Sequence, residues 1–86
     1  MRFMVIEIFK VRKTPLVCER FREQGRMLPD GLTYVDSWVE RDGNRCFQLM
    51  ETENEKLFDV WTAQWNDLVD FEIVPVTSSP ATPSTE

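Results

Sequence analysis

The sequence contains no histidine. That one absence removes the commonest general base, the commonest zinc ligand and the usual haem ligand. Cysteine is scarce: Cys18 and Cys46 stand far apart and form no CxxC pair, so neither a metal clip nor thioredoxin-type chemistry has support. No metal and no cofactor are expected, and the two thiols suit a reduced, cytoplasmic setting. Positive charge is in deficit. Ten Lys and Arg stand against fifteen Asp and Glu, a formal net charge of -5, which repels phosphate backbones and argues against a nucleic-acid partner. Long apolar runs are also missing. No segment approaches the length of a membrane span. The opening MRFMVIEIFKVRK is interrupted by Glu7 and lacks a small-residue cleavage site, so it does not read as a signal peptide.

What is present is an ordinary globular balance, 42% hydrophobic and 29% charged over 86 residues. That length makes one domain. A chain so short buries only about two thirds of its unfolded surface, so its core is marginal alone and association with a second copy would help. RFMVIEIF is β-branched and aromatic with apolar residues on both parities, as in a central strand covered on both sides. Thr14 offers an N-cap and Pro15 a first helical position. The segment LVCERFREQ then places Val17, Phe21 and Leu28 near one helical face, with Gly25 as a left-handed stop. LTYVDSWVER and RCFQLMET flank Asp42-Gly43, the strongest short-range hairpin signal. A two-residue turn there sets Val39 against Cys46, Trp38 against Phe47, Ser37 against Gln48 and Asp36 against Leu49. Thr52 and Glu55 read as a capping box before an amphipathic helix with Leu57, Phe58, Trp61, Trp65 and Leu68 in one stripe. VDFEIVPV is a last strand, and Pro75, which cannot donate to a ladder, assigns it to an edge.

The order strand, helix, strand, strand, helix, strand is the split βαβ pattern of an α+β, ferredoxin-like fold: a four-stranded antiparallel sheet with two helices on one face. Right-handed crossovers put the first and third strands in the centre. The domain spans residues 1–76. Residues 77–86 hold no apolar side chain larger than alanine and read as a disordered tail. Trp61 and Trp65 share the stripe that must face the sheet, so they read as core rather than as a cofactor box or nucleic-acid platform.

Two helices cover one sheet face and leave the other open. By parity, Met4, Ile6, Ile8, Val35, Val39, Cys46, Met50, Val69, Phe71 and Ile73 suit the helix-facing layer, where Ser37 and Gln48 sit awkwardly. The opposite parity carries Glu7, Phe9, Tyr34, Asp36, Trp38, Phe47, Leu49 and Glu72, beside Phe3 and Val5. A broad aromatic patch of this kind calls for a partner. A second copy packed sheet to sheet supplies it, with these residues as the dimer interface or as the wall of a pocket for a small molecule.

MRFMV, WVERDGNRCFQLMET and AQWNDLVDFEIVPV resemble a family of short bacterial proteins, the domain of unknown function 3303 family, across nearly all of residues 1–76. QWNDLVDFEIVPV is the most specific block. The family resembles the dimeric α/β-barrel superfamily, which implies a homodimer and brings no catalytic residues with it. Two functional classes follow. The favoured one is a non-enzymatic homodimer binding a small apolar or aromatic molecule between its sheets, with Trp38, Phe47, Tyr34 and Phe9 as walls and Asp36, Glu7 or Glu72 orienting a polar group. The alternative is a small cofactor-free isomerase or monooxygenase-like enzyme, with Asp36 or Glu7 as general base and Tyr34 donating to a developing oxyanion. An RNA recognition module shares the topology, but its glycines and further aromatics are missing and the charge has the wrong sign.

Overall fold

The computed structural model describes residues 1–79. The element order is β1 (Arg2–Phe9), α1 (Thr14–Gln24), β2 (Thr33–Val39), β3 (Arg45–Glu51), α2 (Leu57–Thr62) and β4 (Val69–Val76). The strands form one sheet in the order β2-β3-β1-β4, with every neighbouring pair antiparallel. This is the ferredoxin-like α+β fold. β1, the strand with apolar residues on both parities, is central. β4, the strand with Pro75, is an edge, as the missing amide requires. Thr77, Ser78 and Ser79 are exposed and adopt no regular structure, and the rest of the expected tail lies outside the described residues.

The hairpin register follows the count from Asp42-Gly43. Val39 pairs with Cys46, Trp38 with Phe47, Ser37 with Gln48 and Asp36 with Leu49. The connection is wider than two residues. The Glu40 amide bonds the Arg45 carbonyl, and the Gly43 amide bonds the Glu40 carbonyl, with Gly43 at φ +82 supplying the left-handed turn. Further along β2 a bulge at Val35 shifts the register between Tyr34 and Asp36. One extra residue reverses side-chain direction. Tyr34 therefore lies on the helix side opposite Met50, and Asp36 on the other side opposite Leu49.

β1 is turned over relative to the expectation from parity. Phe3 pairs with Met50, Val5 with Gln48 and Ile73, and Glu7 with Cys46 and Phe71. Phe3, Val5 and Glu7 are buried beneath the helices, whereas Met4, Ile6 and Ile8 face outward. The physical reason is that a strand apolar on both sides carries no preference strong enough to set its face, except for the cost of burying Glu7. That cost is met by specific partners.

Both helix starts also differ from the sequence reading. Thr14 is already helical and caps nothing; Pro15 occupies the first turn. Gly25, at φ 68, ends α1 as expected and donates to the Phe21 carbonyl. Thr52 does not form a capping box, because its amide is taken by the Met1 carbonyl and its hydroxyl accepts from the Asn54 amide at 3.0 Å. α2 starts only at Leu57, and after Thr62 the chain continues as turns that bond three or four residues back. The apolar stripe survives this irregularity: Phe58, Trp61, Trp65 and Leu68 are all buried.

The core joins Phe3, Val5, Leu32, Met50, Phe58, Trp61 and Trp65. Phe3 meets Phe58 edge to face with centroids 5.1 Å apart, and Trp61 meets Phe71 at 5.5 Å. The indole nitrogens of Trp61 and Trp65 both donate to one acceptor, the carbonyl oxygen of Arg26, at 2.9 and 3.1 Å. The tryptophans are core residues, and they also tie the loop after α1 to the stripe after β3. Trp61 is 1% exposed, so Trp61→Ala removes a buried ring together with its hydrogen bond to the Arg26 carbonyl. The expected cost is about 3–5 kcal/mol, a large share of the stability of a domain this size. Urea unfolding monitored by circular dichroism checks it, and a midpoint close to that of the parent would contradict the packing described here.

Candidate functional site

α1 rests lightly on the sheet. None of its residues is buried, and Leu16 and Phe21 remain exposed. A cavity of about 210 Å3 is left between it and the sheet. Val17, Cys18 and Phe21 form its α1 wall. Glu7 and Phe9 from β1, Cys46 and Gln48 from β3, and Ser37 and Val39 from β2 form its floor, while Arg26, Trp61, Trp65 and Val69 close the sides.

The polar groups of the cavity form one chain. The Arg26 Nε donates to the Gln48 Oε1 at 3.0 Å, and the Gln48 Nε2 donates to the Glu7 carboxyl. Arg26 is held from both ends. Its carbonyl takes the two indoles, and its guanidinium stacks 3.7 Å above the Tyr34 ring, with the Phe21 ring 5.1 Å away. Tyr34 is fixed in turn by a 2.6 Å hydrogen bond between its hydroxyl and that of Ser37. These bonds account for the two polar residues that sit awkwardly in the apolar parity: Gln48 serves Glu7 and Arg26, and Ser37 serves Tyr34.

Glu7 is 9% exposed. Burial pushes its carboxyl from the ordinary value near 4.5 up to about 7, and the Gln48 hydrogen bond and the Arg26 charge offset this only in part. Burial, helped by the charge of Glu7, likewise pushes the Cys46 thiol up to about 11, so it is a neutral group in the wall and not a nucleophile. Cys18 is exposed.

The residues named from sequence divide between two faces. Glu7 and Phe9 line the cavity, and Tyr34 braces Arg26 beside it. Asp36, Trp38, Phe47, Leu49 and Glu72 lie on the opposite sheet face with Met4, Ile6 and Ile8. There Trp38 is 51% exposed, Arg45 lies 5.2 Å over the Phe47 ring, and Asp36 accepts only the Ser37 amide at 2.8 Å. Arg26, Gln48 and Cys46 are the site residues that sequence reasoning passed over. Only Gln48 carried a signal, as a polar residue on an apolar parity. Among the described residues no group of three or more Cys, Asp or Glu side chains converges as a metal site would need, and no helix is long and apolar enough to cross a membrane.

Glu7 makes a pH prediction. Its folded pKa lies above its unfolded one, so the native state binds the proton more tightly and stability falls as pH rises from about 4.5 to about 7, then levels off. Glu7→Gln keeps the shape and removes the charge. It should leave stability nearly unchanged near pH 4 and raise it at pH 8 by up to about 3 kcal/mol. Urea denaturation of both proteins across this range checks the sign.

Among known proteins, no curated protein and no solved structure matches the chain. One family model does, that described as Domain of unknown function (DUF3303), and it matches residues 1–84. With almost its whole length inside that match, and with the hairpin and final-strand blocks that carry the resemblance forming β2, β3 and β4, the chain belongs to the DUF3303 family.

Proposed function

We propose that the chain is the subunit of a homodimer that binds one small, mostly apolar molecule per subunit, in the cavity beneath α1. The observation that carries this reading is the cavity itself, an apolar space into which the hydrogen-bonded line Arg26–Gln48–Glu7 is set. A cavity of about 150 Å3 holds benzene, so one ring with a small substituent fits here. α1, which buries none of its own residues, is the natural door. On this reading the binding space belongs to each subunit, and the open face is left for assembly.

That face supports the second copy. Met4, Ile6, Ile8, Phe47, Leu49 and Trp38 make it apolar, with Asp36 and Glu72 on its outer strands. Four strands about 4.8 Å apart, with residues at about 3.3 Å, give a patch roughly 20 Å on a side. Covering two such patches removes on the order of 1,000 Å2 from water, the lower bound of a specific interface. The superfamily resemblance, dimeric α/β barrels, points the same way.

A second reading is favoured by Glu7 alone. A carboxyl with its pKa near 7 is matched to proton transfer at neutral pH, as in a cofactor-free isomerase. Asp36 loses its place in that reading, since it is exposed on the far side of the sheet.

Sedimentation at micromolar concentration should give a dimer, and Trp38→Arg, on the open face and away from the cavity, should give a folded monomer. Cys46→Phe should fill the cavity and abolish co-purification of any small molecule seen by native mass spectrometry. A folded monomeric parent would remove the assembly, and a ligand retained by Cys46→Phe would remove the pocket.

A further inference from the structure

Within the cavity the two charged groups are unequal. Arg26 has five N–H donors, and among the described residues only its Nε–H has a protein acceptor, Gln48. Its guanidinium joins none of the salt bridges found among those residues. Gln48 stands between it and Glu7, so the pair does not neutralise itself directly. We infer that the cavity takes a small apolar carboxylic acid in its anionic form, with the carboxylate on the Arg26 guanidinium. This deepens the binding reading above and rests on it.

The asymmetry of titration decides the sign of the ligand. An arginine keeps its charge at any accessible pH, whereas a buried carboxyl can give its charge up by taking a proton. An ammonium ligand would have to sit beside the fixed cation and would require an ionised, desolvated Glu7. A carboxylate meets the fixed cation in the planar, two-pronged geometry that guanidinium offers, and Glu7 yields by protonating. As an acid, Glu7 then has an O–H to donate to the ligand. The aromatic and branched side chains of Phe9, Val17, Phe21, Val39 and Val69 suit the apolar body.

The groups facing Glu7 come from each element packed against it. From β3 it faces Cys46, neutral below about 11, and the amide of Gln48. From α1 the cavity receives the Cys18 thiol; from the following loop, Arg26. The residues contributed by β2, β4 and the α2 segment are Ser37, Val39, Val69, Trp61 and Trp65, none of them an acid or base. Since Glu7 titrates at about 7 when the cavity is empty, an anion placed next to it raises that value further. Binding above pH 7 therefore takes up one proton. The affinity should be flat below about pH 6.5 and fall about tenfold per pH unit above about 7.5.

The experiment titrates the full chain with benzoate, benzyl alcohol and benzylamine, following indole fluorescence and, by calorimetry in two buffers of different ionisation enthalpy, the proton count. The expected result is preference for benzoate, uptake approaching one proton at pH 8, and the pH slope above. Glu7→Gln should still bind benzoate but with no pH slope. Arg26→Lys, which keeps the charge and loses the two-pronged contact, should weaken benzoate about tenfold or more while leaving benzyl alcohol unchanged. Circular dichroism melts verify that both variants fold. Preference for the alcohol or the amine, or benzoate binding without proton uptake, overturns the carboxylate assignment while leaving the pocket in place. No binding of any of the three overturns the pocket as well.

Discussion

One carbonyl oxygen, that of Arg26, holds this small domain together. It is the shared acceptor of two buried indoles four residues apart, and so joins the segment between α1 and β2 to the segment between β3 and β4. The same residue sends its guanidinium across Tyr34 to Gln48. The next residue, Met27, has a left-handed backbone at φ 59, a conformation that costs a non-glycine residue about 1 kcal/mol or more. Such a backbone persists only where the surroundings hold it, and here the two indoles do. Core packing and site geometry are thus one construction: the bonds that lock the tryptophans also aim the cation.

α1 is the counterpart of that rigidity. Its attachment is largely polar. Arg20 grips Asp67 through two 2.8 Å bonds, reaches the Gln64 carbonyl, and lies 5.6 Å over the ring of Trp65. The guanidinium holds the Asp67 carboxyl well below the ordinary range, down to about 2. Screened ionic contacts of this kind are weak compared with apolar burial. The roof of the cavity is accordingly its least firmly held part.

The fold was legible in the sequence wherever a local signal set the geometry. Asp42-Gly43 determined the hairpin register down to each pair from Asp36 to Val39. Pro75 marked an edge, Gly25 a helix end, and the stripe from Phe58 to Leu68 the buried face. Three things were not legible, each for a physical reason. β1 has apolar residues on both parities, and its pairing to β3 and β4 is set through long crossovers, so no turn fixes which side faces the helices. The bulge at Val35 has no residue signature, yet it moves Tyr34 to the cavity side and leaves Asp36 behind. Thr52 has the letters of a capping box, but its amide already serves Met1. The site inherits these differences. Its carboxylate, Glu7, was visible as an unusual residue in an apolar strand, whereas its cation, Arg26, becomes a site residue only through contacts with residues distant in sequence, and no local pattern encodes those.

The kinked β2 and the proline-bearing β4 have a consequence for self-association. They are the two outer strands of the sheet, the places where a further strand could be added. The extra residue at Val35 breaks the even spacing of amides and carbonyls along one margin, and Pro75 removes a donor from the other. Lengthening the sheet by strand exchange or fibre growth is discouraged on both sides.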